Sequence, residues 1–292
     1  MTSRPEDGAS ANSDTPTEAA PVDLNALRAE IDRLDLEMHQ RLMQRSAIIE
    51  RLISVKKTSQ SGSAFRPGRE ASMMKALAER HAGLLPLDTV ESIWRVIIGT
   101  FTYVQAHYTV HADISGGDGP MRDSARFHFG FTVPYQPHPD ARAVMKAVAE
   151  GRGDLGILRL DQGASAGDWW NDLTGPDQPK VIARLPFIER PDHPAGTPIF
   201  VISKPLADAA VRDEVLYAAR FERWRAQTAQ VITDAGGEIV CSTGVAGQLS
   251  LLFSLPGDRS REDTTALFAQ ADAAPTEIHE IGSHAARYRH DG

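Results

Sequence analysis

The sequence predicts a multidomain chain: an all-α segment of three helices, followed by an α/β domain. Three observations lead there. From residue 23 to about residue 57 apolar residues recur every three or four positions with no Pro or Gly, the period of one helix face. Two shorter stretches of the same period follow, the second running past Gln105. Beyond residue 126 short apolar runs alternate with helical stretches, the pattern of a sheet covered by helices.

Residues 1–22, rich in Ser, Thr, Ala, Pro and acids, carry no apolar period and are expected to form a disordered tail. Asp23 is placed to cap the first helix. Some 35 helical residues make a rod roughly 50 Å long, which needs partner helices. Thr58–Gly68 reads as a loop, Arg69–His81 as the second helix, and Gly83 with Pro86 as its break. The third helix starts at Leu87 or Asp88, with Val90, Ile93, Trp94, Ile97, Phe101 and Val104 as its apolar set. One long helix and two short ones leave the long one under-covered in a monomer, so a homodimer is expected on burial grounds. The helical domain is bounded at 23–110, a Gly- and Asp-rich linker at 111–125, and the α/β domain at 126–292.

Within that last part Phe127–Val133 alternates like a strand and Asp140–Glu150 reads as a helix. Gly153–Leu158 resembles a turn into a buried strand. Further strands are expected at Ile199–Ile202, Glu238–Cys241 and Leu249–Leu255, and helices at Arg212–Ala235 and Thr264–Ala271. Trp169-Trp170 reads as packing, Cys241 as a core residue and Gly236-Gly237 as a turn. His279 and His284 lack Cys or acid partners at ligand spacing, so no metal is expected.

The single cysteine cannot form an internal disulfide, which fits a reducing cytoplasm. No apolar stretch approaches the ~20 residues of a membrane span, and no secretion signal follows Met1, so the expected location is cytoplasmic. The formal charge is −8, distributed as −3 over residues 1–22, +2 over 23–110 and −7 over 111–292. An acidic chain with no basic run argues against nucleic acid or an anionic membrane as partner.

Cations stand on or beside the apolar stripe of the first helix, at Arg28, Arg45 and Lys56. A charge drawn out of water needs a counter-charge, and few acids share the stripe; an anionic ligand is the simplest counter-charge. Arg45 and Lys56, eleven residues apart, project within about 20° of each other, whereas Arg28 lies about 100° round from Arg45. Arg28 therefore points elsewhere, for instance into the site of a dimer partner. Gln105 places a neutral donor on the apolar face of the third helix, four residues after Phe101, and Arg69-Glu70 opens the second.

Leu27-Arg28, Arg45, Val55-Lys56, Arg69-Glu70 and Gln105, on three helices of these lengths, resemble the all-helical chorismate mutases over roughly residues 23–108. The resemblance implies an intertwined helical dimer that rearranges chorismate to prephenate in phenylalanine and tyrosine biosynthesis, without a cofactor. It implies that Arg28 from the partner, Arg45 and Arg69 grip the substrate carboxylates, that Lys56 and Gln105 donate to the ether oxygen, and that Glu70 orients the ring hydroxyl. Such a rearrangement is pericyclic and needs no nucleophile, metal or proton transfer; rate comes from conformer selection and charge stabilisation. Two positions depart from the family pattern: Arg66, where an acid is frequent, and Phe101, where a small hydroxyl residue is common.

The stretch Ala147–Leu158 faintly resembles prephenate dehydratases, with Asp161-Gln162 standing where their Glu-Asn signature would be. Their Thr-Arg-Phe triplet is reduced to Thr197-Pro198-Ile199-Phe200, without the arginine, so the α/β domain is expected to regulate or dock. An aromatic amino-acid effector or another pathway enzyme is its expected partner. Two alternatives remain beside the mutase: a non-catalytic regulatory or binding subunit, and an isochorismate pyruvate-lyase on the same helices.

Overall fold

The computed structural model describes residues 23–56, 64–162, 167–205, 211–223, 225–245, 247–270 and 274–290. The expected tail at 1–22 and most of the Thr58–Gly68 loop lie outside the described residues. The chain divides into two compact units, residues 1–48 and residues 49–292.

The first helix, α1 (Leu24–Lys56), matches the predicted rod. In the first unit its stripe is solvent-facing: Leu24, Leu27, Ile31, Leu34, Met38 and Leu42 are all exposed, Leu24 to 66%. An apolar face of that length is stable in water only against another surface.

The second unit begins with the end of α1 and continues with α2 (Pro67–Arg80) and α3 (Leu87–Gln105). Pro67 sits in the first turn of α2, where a missing N–H costs nothing, and Glu70 complements the helix dipole there. Met74, Leu77 and Ala78 make its buried face. On α3 the buried face is Val90, Glu91, Arg95, Ile98, Gly99 and Thr102. The predicted apolar set is rotated from that face: Ile93 and Val104 are exposed, and Trp94, Ile97 and Phe101 are half-buried. The side of α3 that packs inward is thus a mixed one, with Glu91, Arg95 and Thr102 beside Val90 and Ile98.

It packs against the sheet domain. The expected linker at 111–125 is instead β1 (Val110–Asp113) and most of α4 (Asp118–Phe129). The Gly-rich segment is only the turn between them, with Gly117 at φ 107 in the left-handed region. The expected strand Phe127–Val133 is likewise the last turn of α4 and a bend, because Phe129 and His128 are buried by helical rather than alternate spacing. β2 (Tyr135–His138), α5 (Ala141–Glu150, capped by the Asp140 side chain) and β3 (Leu155–Arg159) follow. They complete a parallel β2-β1-β3 arrangement with α4 and α5 as crossovers.

After a 3-10 turn at Trp169–Leu173 come β4 (Lys180–Leu185), β5 (Ile188–Glu189) and β6 (Ile199–Ser203), with β6 antiparallel to both β3 and β4. The helix expected over Arg212–Ala235 is a strand and a shorter helix, β7 (Glu214–Phe221) and α6 (Ala226–Asp234). β7 is buried along nearly its whole length, so its apolar run carries no period that separates strand from helix. β8 (Glu238–Val245), β9 (Gln248–Pro256), α7 (Arg261–Gln270) and β10 (Glu277–His284) complete a β-α-β-β-α-β module of ferredoxin-like order, β10-β7-β9-β8. A short β11 (Tyr288–Arg289) pairs with β5.

Apart from the separate β5–β11 pair, the strands form one nine-stranded sheet, β2-β1-β3-β6-β4-β10-β7-β9-β8. One apolar cluster holds Met74 and Leu77 of α2, Val90 and Ile98 of α3, and Ile157 and Val201 of the sheet. A second, on α5 and the other sheet face, contains Trp169 and Trp170, and a third fills the ferredoxin-like module around Phe253 and Phe268. Helices α2 and α3 therefore share a core with the sheet, where a helical domain ending at 110 was expected.

Candidate functional site

The predicted cations fall in both units. Arg28 is exposed and Arg45 half-buried on α1. Lys56 is the last residue of α1, and its side chain lies outside the described part. In the second unit Arg69 is exposed in the first turn of α2, one residue before the buried Glu70. Gln105 ends α3 half-buried, its side-chain amide donating to the Phe101 carbonyl at 2.9 Å. That bond occupies one of its two amide hydrogens. Among the described residues no hydrogen bond or ion pair joins Arg69, Glu70 and Gln105 to one another.

Glu70 is held by a residue that the sequence reading did not single out. Arg95 of α3, 1% exposed, donates from Nη1 to Glu70 Oε2 at 2.7 Å. Its Nε and Nη2 both reach the His128 carbonyl, at 3.1 and 2.5 Å, in the last turn of α4. The guanidinium also lies 5.3 Å from the Phe187 ring centroid. Burial raises the Glu70 carboxyl above its ordinary range; the Arg95 charge and hydrogen bond, with the Arg66 backbone N–H, oppose that. The signal for this pairing was the charge of Arg95 four residues from Glu91 on a long apolar helix. Its partner, 25 residues back on another helix, cannot be read from spacing.

Beside it lies a second buried polar group. Glu91, fully buried, accepts from Arg190 Nη2 at 3.3 Å and lies 3.3 Å from His193 Nε2. The Ala195 N–H donates to His193 Nδ1, which leaves the Nε2 proton for Glu91. Arg190 also pairs with Asp88. His128 stacks on His193 at 6.0 Å between centroids, and burial, then Arg95 and His193, push it well below the usual histidine range.

In the sheet domain Asp161 of the faint dehydratase signature is taken up internally: Arg159 Nε and Nη2 donate to its two oxygens at 2.7 and 2.6 Å. That fork holds the carboxylate below its usual range. Phe200, the end of the reduced triplet, is a core residue of β6. A cavity of about 190 Å³ opens at the N-terminus of α6, lined by Phe221, Glu222, Arg223, Arg225, Thr228 and Thr276. The Thr228 hydroxyl there is buried, with no hydrogen-bond partner among the described residues. Cys241 is buried and unpaired as a disulfide, and burial lifts its thiol to about 11. No group of three His, Cys, Asp or Glu among the described residues could hold a metal ion, and no described helix is long and apolar enough to cross a membrane.

Compared with known proteins, residues 27–106 match the family model described as chorismate mutase type II, so the helical segment is a domain of that type; the match ends before the first strand and leaves the whole sheet outside it. None of the curated proteins compared matches the chain. Among solved structures, the chain is similar to GqqA, described as a novel type of quorum quenching acylase, at 12% identity and a TM-score of 0.43, over 61% of this chain and 95% of that one. It is also similar to a prephenate dehydratase from Arthrobacter aurescens solved with L-Phe, at 9% identity and a TM-score of 0.41, over 61% and 90% of the two chains.

Proposed function

We propose that the chain is a chorismate mutase that converts chorismate to prephenate in phenylalanine and tyrosine biosynthesis. The family match over 27–106 carries this reading, because Arg28, Arg45, Lys56, Arg69, Glu70 and Gln105 all fall within it, on α1, α2 and α3. Chorismate is a dicarboxylate, and arginine forks suit carboxylates. Arg28 from a partner subunit, Arg45 and Arg69 bind those carboxylates. Lys56 and Gln105 stabilise the charge that grows on the breaking ether oxygen, and Glu70 accepts from the ring hydroxyl. No covalent intermediate is required; catalysis rests on holding the reactive conformer and on donors fixed in advance.

The expected homodimer has its support in the exposed stripe of α1 and in the exposed Ile93 and Val104 of α3, apolar faces that a second copy would cover. The compartment expected is the cytoplasm. For the sheet domain the expected ligand is an aromatic amino acid acting as effector. The cavity at α6 suits its carboxylate, since a helix N-terminus, Arg223 and the Thr228 hydroxyl converge there.

The test is a proton NMR time course of the protein with chorismate, repeated with Arg45→Ala. Prephenate from the wild type and not from the variant is the expected result. Unchanged chorismate in both would move the chain to a regulatory or binding subunit, a reading that Phe101 and Arg66 favour by departing from the family pattern. Isochorismate, split to salicylate and pyruvate, would then be the next substrate.

A further inference from the structure

We propose that Arg95 is a positioning residue of the mutase site, which fixes the Glu70 carboxylate against the sheet domain through the last turn of α4. The inference rests on the mutase reading and adds to it a residue that touches no substrate.

The geometry is that of a brace. A carboxylate beside a substrate is useful only if it is ionised and does not swing. Glu70 is 4% exposed, in surroundings that favour its neutral form. The guanidinium supplies the counter-charge at 2.7 Å. An arginine opposite a carboxylate can still rotate unless other donors are tied, and here Nε and Nη2, along one edge of the guanidinium, converge on one acceptor, the His128 carbonyl. That carbonyl belongs to the last turn of α4, where helix carbonyls are unsatisfied and the dipole favours a cation. Arg95 therefore completes α4 and orients Glu70 with one rigid group. Gly99, one turn further along α3, lets the helices approach closely: a Cβ there would lie 2.6 Å from the Phe129 carbonyl oxygen.

The groups that face this pair come from every neighbouring element. Arg66 offers its backbone N–H from the start of α2, and Tyr108, before β1, feels the Glu70 charge and is itself raised by burial first and then by Glu70. His128 on α4 is kept neutral by burial and by Arg95, with His193 stacked behind it. Among the described residues Arg95 is thus the cation paired with the carboxylate. Without it, Glu70 takes a proton at higher pH, and a protonated carboxyl no longer accepts the ring hydroxyl in the same way.

The test uses the full chain with chorismate, following kcat and KM from pH 6 to 9 for wild type, Arg95→Met, Arg95→Lys and the double variant Glu70→Gln/Arg95→Met. Circular dichroism spectra verify the fold of each. Wild type should be nearly flat with pH. Arg95→Met should lose roughly ten- to a hundredfold in kcat/KM near pH 7, mainly in kcat, and regain rate as pH rises. The double variant should lose that slope, because Glu70 is the titrating group. If Arg95→Met does not fold, Arg95→Lys decides: it keeps the charge without the fork and should lose about tenfold in kcat. Wild-type kcat in Arg95→Lys, or a slope that persists in the double variant, would overturn the proposal. A wild type that makes no prephenate would instead remove the mutase reading, and this inference with it.

Discussion

Replacing Gly99 by Ala sets two effects of opposite sign against each other. In an exposed helix interior the change should stabilise by about 1 kcal/mol, because Ala is the better helix former. Here the new Cβ would stand 2.6 Å from the Phe129 carbonyl oxygen and 3.0 Å from its carbonyl carbon. That is about 0.8 Å short of an ordinary contact, and the neighbour is backbone, which cannot rotate away. Overpacking of this kind costs about 1–3 kcal/mol. Parting α3 from α4 also stretches the two Arg95 bonds to the His128 carbonyl, bonds of a charged donor whose loss costs about 1.5–3 kcal/mol. The steric and hydrogen-bond losses exceed the propensity gain, so Gly99→Ala should lower stability by about 1.5–5 kcal/mol, or several degrees in Tm for a unit of this size. Urea unfolding followed by far-UV circular dichroism, with calorimetry for Tm, measures it. A variant as stable as wild type, or more so, would show that the helices separate freely and that the α3–α4 contact does not brace the fold.

Four further outcomes are expected. Lys56→Ala should cut the rate of prephenate formation by ~10²–10³ while weakening binding of a dicarboxylate analogue only modestly, and equal losses in both would argue against a transition-state role. Trp170→Phe removes the indole donor to the Ser250 hydroxyl at 2.9 Å inside a closed core, so the unfolding free energy should fall by about 1–3 kcal/mol. His128 is depressed in the folded chain, so the unfolded chain binds a proton first as pH falls: stability should be full above about pH 6.5 and decline below it, and His128→Gln should flatten that decline in urea titrations across pH 5–7.5. L-phenylalanine should protect the sheet domain in a thermal-shift titration through the cavity at α6, and Arg223→Ala should abolish the shift; equal shifts in both would move the ligand elsewhere.

The three N-terminal helices and α5 were legible by their period, and the strands β3, β6, β8 and β9 as short apolar runs between plain stop signals. The boundary between helices and sheet was not. Ser115-Gly116-Gly117 has the composition of a linker, yet a sharp βα turn needs the same residues, and β1 is only four residues long. β7 failed for the opposite reason: Val215–Ala219 is covered on both faces and reads as a helix core as readily as a strand. On α3 the apolar period suggested the wrong buried side, because the side that packs inward carries Glu91, Arg95 and Thr102, each needing a partner that only the tertiary fold supplies. The candidate site was legible as residue types on helix faces. That Glu70 depends on Arg95 was not, since the contact joins two helices and is completed by a carbonyl of a third.

The common core of α2, α3 and the sheet also bears on how such a chain can change over generations. Met74, Leu77, Val90 and Ile98 fit against Ile157 and Val201, so the two stretches of gene that encode them must vary together. A recombination breakpoint just after residue 106 would hand the recipient two helices shaped to a sheet left behind, with Glu91 and Arg95 exposed on the side that had been dry. Exchange of the helical segment between relatives should therefore be rare at that point, and substitutions across it should arise in compensating pairs.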